Sequence, residues 1–173
     1  LSTDESMVDE VIHRFEMNRL RAIFVSHSHF DHVMDAPYFA NSTDAHIYGS
    51  ASAMNVALGG SIPVDRLHSY DDSLEYRIGN FTDSVIPSIH SVAHWDNNDL
   101  GQAIDTPLVQ PAAKKAYKEG GSYDFLIEHQ GKKVLIRPSY NFIPGQLDRV
   151  RADILFLGIG GLSKDTEERK DRF

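Results

Sequence analysis

The chain has 173 residues, 41% of them hydrophobic and 24% charged, with no cysteine and a net charge of −8, a composition typical of one globular domain with a sizeable core. The acidic balance argues against a duplex nucleic acid as the partner, because such a partner favours a basic face, but it does not exclude a small anionic substrate. The absence of cysteine excludes disulfides and thiolate metal ligands.

The first part of the chain predicts helices around short strands, because apolar residues recur there at helical spacing between brief apolar runs. Pro37 is expected to shorten or kink the second helix, since proline removes a backbone donor. In chain order, we predict a helix from Thr3 or Asp4 to about Asn18, a strand at 21–25, a helix at 31–40, a strand at 46–48 and a helix at 50–58.

The second part predicts mostly strands. A connection at 91–122 has little periodicity, and a loop of that length is usually a lid or a binding loop. The remaining predictions are strands at 66–69, 74–78 and 82–89 in a meander, a hairpin of 123–129 with 132–136, and a strand at 153–158. Strands, then helices, then strands again fit a layered α/β sandwich, which we predict to be one domain over 1–173.

Four potential metal ligands lie within six positions directly after the predicted strand at 21–25. They are His27, His29, Asp31 and His32. Neutral imidazoles and a carboxylate suit Zn²⁺ and similar divalent metals. An extended backbone would send the first three side chains to one side, and His32 would join Asp31 at a second metal. The alternative is a histidine-rich surface loop.

The pattern His27-x-His29-x-Asp31-His32 after a hydrophobic strand resembles the signature of the metallo-β-lactamase superfamily. The chain looks most similar to the branch of the ascorbate-phosphate lactonases and the N-acyl-phosphatidylethanolamine phospholipases D. The resemblance implies a four-layer αββα sandwich. Since the superfamily hydrolyses lactams, lactones, thioesters and phosphodiesters, the resemblance predicts the site better than the substrate.

The same resemblance implies a third histidine for the first metal. His90 closes a Pro87-x-x-His90 sequence at the end of the predicted strand at 82–89, as in the related phospholipases. We therefore predict that it joins His27 and His29. His94 is the rival, and otherwise it would support the ligands or face the substrate.

The resemblance also implies an Asp that bridges two metals after the strand at 132–136, but Ser139 stands there. A serine hydroxyl carries no charge near neutral pH. The second metal is therefore expected to bind more weakly. The resemblance further implies strands before Leu1 and a last histidine ligand beyond Phe173, so we expect the chain to be truncated at both ends.

The implied activity is a metal-dependent hydrolase, in which a metal-bound hydroxide attacks an ester, lactone or phosphodiester of a small molecule. The cofactor would be one or two divalent ions, Zn²⁺ first, with Mn²⁺ or Fe as alternatives. Asp31 would be the catalytic residue, as a ligand that orients the nucleophile or carries its proton. His94, Tyr140 and Asn141 are candidates for holding substrate or an oxyanion.

Two other functions stay open. A lipid phosphodiesterase similar to the N-acyl-phosphatidylethanolamine phospholipases D could use the loop at 91–122 as a lid. A metal-binding module with decayed catalysis would explain Ser139.

The expected partner is a small-molecule substrate. No run of eighteen or more apolar residues exists in the sequence, which predicts no membrane-spanning segment. The lack of cysteine does not choose between cytoplasm and periplasm.

Overall fold

The computed structural model describes residues 1–71, 73–91 and 98–160, and their contacts divide into two compact units. The first unit comprises Leu1–Leu74 and Gly101–Gly121, and the second comprises Glu75–Leu100 and Ser122–Phe173. Within the described ranges, no helix has both the length and the apolar character needed to cross a bilayer.

The first unit combines a three-stranded parallel sheet with four α-helices. Its strands pair in the order β1-β2-β3, with Ile23 beside Ile47 and Ile47 beside Leu67. The elements are α1 (Glu5–Arg14), β1 (Ala22–Phe24), α2 (Phe30–Val33), α3 (Ala36–Thr43), β2 (His46–Gly49), α4 (Ala51–Gly59) and β3 (Leu67–Ser69), with short 3₁₀ turns at Met17–Arg19, Val64–Arg66 and Lys114–Ala116.

The ends of the helices follow from local chemistry. The Asp4 carboxylate accepts a hydrogen bond from the Met7 amide at 3.1 Å and begins α1, as predicted. Pro37 lies in the first turn of α3, where its missing N–H does no harm. The predicted helix at 31–40 is therefore two helices, because α2 ends before the proline.

The core of the first unit lies between its sheet and its helices. Ile47 on β2 and Val56 on α4 are almost fully buried there. Ile104 and Tyr117 from the later segment join the same cluster. The predicted loop thus contributes to the core, and the hydrophobic effect holds it to this unit.

The second unit is a five-stranded sheet in the order β4-β5-β6-β7-β8. The first four strands are antiparallel neighbours, and β8 runs parallel to β7. The strands are β4 (Glu75–Ile78), β5 (Phe81–Ser88), β6 (Ser122–His129), β7 (Lys132–Arg137) and β8 (Ile154–Leu157).

One part of the predicted meander is wrong. The strand predicted at 66–69 exists as β3, but it pairs in parallel with β2 in the first sheet. The antiparallel meander starts only at β4. The alternation of apolar residues and their composition can identify a strand. Its pairing partner, however, depends on contacts with residues far away in the sequence. The α/β fold class itself is confirmed.

Candidate metal centre

His27 and His29 follow β1 and lie buried, with 3% and 5% of their surfaces exposed. Their ring centroids are 4.9 Å apart with the planes nearly perpendicular. A ligand nitrogen of one lies within 4.8 Å of a ligand nitrogen of the other. The strand end therefore delivers two imidazole donors to one place in the first unit.

The Ser26 hydroxyl lies between two of the histidines. Its Oγ is 3.2 Å from Nδ1 of His27 and 3.2 Å from Nδ1 of His32. A hydroxyl oxygen has two lone pairs, so it can accept the Nδ1 protons of both rings. This arrangement leaves Nε2 of each ring as the nitrogen suited to bind a metal.

Ser26 is a further candidate for the site, and the sequence motif alone does not single it out. It stands directly before the motif, and that position was the only available signal. We expect Ser26→Ala to weaken metal binding about 10–100-fold, because the rings lose the group that sets their orientation. Competition with a chromophoric chelator measures this affinity. Ser6→Ala, on the exposed face of α1, is the matched control, and equal affinities of the two variants would contradict the role.

Asp31 and His32 form a second and more exposed pair of donors. Asp31 Oδ2 lies 3.8 Å from His32 Nε2, and 60% of the Asp31 side chain is exposed. The expectation that Asp31 would alternate with His27 and His29 along an extended backbone is wrong. The His32 amide donates to the His29 carbonyl at 2.9 Å, so α2 has begun and Asp31 lies in its first turn.

His90 lies just beyond the end of β5 in the second unit. Its Nδ1 is 3.0 Å from the Ser91 carbonyl oxygen. Because a carbonyl only accepts hydrogen bonds, Nδ1 carries the proton and Nε2 is the nitrogen suited to bind a metal. The Asn141 side-chain amide donates to the His90 carbonyl at 3.0 Å and holds this turn from the loop after β7.

The candidates Ser139 and Asn141, in the loop after β7, make hydrogen bonds to backbone amides. The buried Ser139 hydroxyl accepts the Ser91 amide at 2.5 Å. The Asn141 side-chain oxygen accepts the Phe142 amide, and Tyr140 is buried with 1% of its surface exposed. Ser139 and Asn141 thus join the loop after β7 to the turn that carries His90. His94 lies outside the described residues.

A buried ion pair supports the same loop. Arg137 Nε donates to Asp124 Oδ2 at 3.1 Å, with 9% and 3% of the two side chains exposed. The other end of the guanidinium donates to the Asn141 carbonyl at 2.7 Å. Burial raises the pKa of Asp124, and the hydrogen bond and charge of Arg137 oppose that shift. Asp124 therefore has Arg137 as a buried structural partner.

The predicted lid is largely a packed segment. Between 98 and 121, the Asn55 side chain donates to the Ile104 carbonyl at 2.6 Å, and the Ser52 hydroxyl accepts the Ile104 amide at 2.9 Å. Tyr117 is 2% exposed. The described part of the loop gives no support to a mobile cover over an acyl chain.

A sequence model described as the metallo-beta-lactamase superfamily matches residues 3–158. A "UPF0173 metal-dependent hydrolase" of Roseiflexus castenholzii is 27% identical over 152 residues, which are 88% of this chain and 57% of that protein. A protein of the same name from Roseiflexus sp. RS-1 is 27% identical over 73% of this chain and 48% of its own length. The chain thus spans about half the length of these curated relatives.

Solved structures with the same fold include a metallo-beta-lactamase variant from Cronobacter sakazakii. It is 15% identical with a TM-score of 0.54, over 99% of this chain and 71% of that one. A CmlA beta-hydroxylase variant is 16% identical with a TM-score of 0.51, over 90% of this chain and 31% of that one. At such identities the likeness shows the fold alone, and one fold accommodates different reactions.

Proposed function

Because the chain belongs to the metallo-beta-lactamase superfamily, we propose that it is a metal-dependent hydrolase of a small ester, lactone or phosphodiester. The observation that carries this proposal is the buried pair His27 and His29, whose ligand nitrogens lie within 4.8 Å. Uncharged nitrogen donors suit Zn²⁺, Mn²⁺ or Fe better than Ca²⁺ or Mg²⁺, which prefer oxygen ligands. The names of the Roseiflexus relatives agree with this proposal.

We propose that His27, His29 and His90 hold the first metal. In each unit an oxygen lies within hydrogen-bonding distance of Nδ1. It is the Ser26 hydroxyl for His27 and the Ser91 carbonyl for His90. Both rings are therefore prepared to bind through Nε2. Asp31 and His32 are the proposed ligands of the second metal, and their exposure makes that position open to solvent and substrate.

A bound divalent ion would supply a Lewis acid for the substrate oxygen and lower the pKa of a coordinated water toward about 7. The residues of the chain would handle the proton and orient the ligands. Asp31 can hold the proton of the nucleophile, because its carboxylate is exposed beside His32. The Ser26 oxygen would accept the Nδ1 protons of His27 and His32, so that both neutral rings present Nε2 to a metal.

The direct test is the metal content of the purified protein together with its activity. Elemental analysis should find about one or two equivalents of a divalent metal, as in other catalytic sites of this kind. Chelation should abolish hydrolysis of a panel of model esters, lactones and phosphodiesters, and added Zn²⁺ or Mn²⁺ should restore it. Metal-free protein from several preparations, with no gain of activity on adding metal, would reject the proposal.

A metal-binding module without catalysis is the second candidate, because the Ser139 hydroxyl accepts a backbone amide and brings no charge. We expect Ser139→Asp to tighten binding at the second metal position about tenfold or more, since a carboxylate is a far better bridge. Titration with Zn²⁺ measures that binding. Ser139→Asn has nearly the same shape without the charge and is the control.

The activity of the same variant separates the two candidates. A wild type that already hydrolyses a model ester supports the hydrolase. A wild type near zero that Ser139→Asp activates sharply would favour the decayed module.

A further inference from the structure

A second segment of the first unit contacts the metal motif at two places. We call residues Gly101–Gly121 the strap. The Ser28 amide, between His27 and His29, donates to the Glu119 carbonyl at 2.7 Å. Farther along, Lys114 Nζ lies 5.1 Å from the centroid of the Phe30 ring. The strap therefore contacts the two residues that separate the first three potential ligands.

Glu119 also holds the strap together. Its buried side chain, with 6% of the residue exposed, accepts the Gly101 amide through Oε2 at 2.6 Å. The Gly120 amide donates to the Gln102 carbonyl at 2.9 Å. These two bonds close the base of the strap, and a short bond to a carboxylate is among the stronger kinds.

Gly120 brings the strap close to the motif. It adopts a φ of +67°, and a Cβ there would lie 2.9 Å from the Ser28 hydroxyl oxygen and would overlap Ser52. Ser28 is itself fully buried, with its hydroxyl 3.4 Å from that of Ser50. The segment between the two histidines thus lies against both the start of α4 and the strap.

We propose that Glu119 is a positioning residue for the metal ligands. Its carboxylate fixes the base of the strap, so that its carbonyl holds the Ser28 amide and keeps the His27 and His29 rings side by side. This inference rests on the proposed function, since it assumes that these histidines bind a metal. Glu119 acts through Ser28 and is assigned no contact with substrate.

The test compares Glu119→Ala with Glu119→Gln, which keeps an oxygen acceptor for Gly101. Metal affinity is measured by chelator competition, and protection of the Ser28 amide is measured by hydrogen exchange in metal-free protein. We expect Glu119→Ala to bind Zn²⁺ about 10–100-fold more weakly, as loss of a supporting group does, and its Ser28 amide to exchange faster. Glu119→Gln should recover most of both properties.

Co²⁺-substituted protein adds a readout of geometry, because its visible spectrum responds to the arrangement of the ligands. The spectrum should change in Glu119→Ala and stay unchanged in Glu10→Ala, the control on the exposed face of α1. Unchanged affinity, spectrum and Ser28 exchange in Glu119→Ala would overturn the inference.

The two proposals fail in different ways. If the wild type binds no metal, the proposed function fails, but exchange at Ser28 still shows whether Glu119 orders the motif. If the wild type binds metal and Glu119→Ala binds it equally well, only the positioning role fails. If Glu119→Ala does not fold, Glu119→Asp replaces it, because its shorter side chain withdraws the acceptor from the Gly101 amide. Normal binding with an unchanged spectrum in Glu119→Asp would overturn the positioning role.

Discussion

Replacing His29 with alanine should remove the first metal and lower hydrolysis of a model ester at least about 100-fold. Groups that merely support a metal ligand are worth about 10–100-fold, so a ligand itself should exceed that range. The His29 side chain is buried beside His27. Bound metal per chain and the initial rate on added Zn²⁺ are the two measurements.

The matched control is His13→Ala, which removes an exposed histidine from α1. It should leave metal content and rate unchanged. His29→Ala protein that retains the metal and the rate of the wild type would show that the buried pair is not the metal site.

The same assay decides the third ligand. His90→Ala should lower metal affinity as strongly as His29→Ala, since we propose that all three histidines hold one ion. His94→Ala should have a much smaller effect on affinity. The reverse order would assign the ligand to His94 and leave His90 a supporting role.

The second large effect is expected on stability. Arg137→Met leaves the buried Asp124 carboxylate without the guanidinium that accompanies it, and it also removes the donor to the Asn141 carbonyl. Breaking a buried ion pair by removing one partner typically costs about 3–5 kcal/mol. Urea unfolding should show a loss of that order in the free energy of unfolding.

An exposed ion pair on the same sheet is the control. Lys133 Nζ lies 3.0 Å from Glu128 Oε2, with 40% and 44% of the side chains exposed. Lys133→Met should change the free energy of unfolding by no more than about 1 kcal/mol, as exposed pairs do. Equal losses for the two variants would mean that burial does not set the contribution of the Arg137 pair.

The destabilisation by Arg137→Met should depend on pH in a defined direction. Burial already raises the pKa of Asp124 in the folded protein, and losing Arg137 removes the interactions that oppose this. As pH rises through the ordinary Asp range, Asp124 loses its proton in the unfolded chain before it does so in the folded variant. The free energy of unfolding therefore falls until the pH passes the pKa of Asp124 in the folded variant. The difference from wild type should therefore shrink toward about pH 4 and grow above it. A difference that is constant with pH would contradict this account.

Much of the first sheet and its helices was predictable, because each element follows from local chemistry. The cap at Asp4 and the strand before His27 lie close to their predicted positions, and so does the hairpin of β6 and β7 in the second sheet. The exceptions have local or topological causes. Pro37 divides one helix in two, and β3 belongs to the first sheet because parallel pairing with β2 joins distant segments.

The residue types of the candidate site could be predicted from the sequence better than their arrangement in space. The identities of the donors are explicit in the motif, but the start of α2 turns Asp31 away from the alternation expected for a strand. The sequence shows that an uncharged serine stands at position 139, where the resemblance implies an aspartate. The hydrogen bond of the Ser139 hydroxyl to the Ser91 amide is visible only in the folded chain.

The amino-acid sequence was enough to predict the superfamily, most of the order of strands and helices, and the candidate imidazole and carboxylate donors, because these depend on residue type and on spacing along a short stretch. The folded chain was needed to see that the Ser26 hydroxyl lies 3.2 Å from Nδ1 of His27 and that the Glu119 carbonyl accepts the Ser28 amide. Contacts between residues so far apart leave no period in the sequence, since they arise when the hydrophobic core brings separate segments together.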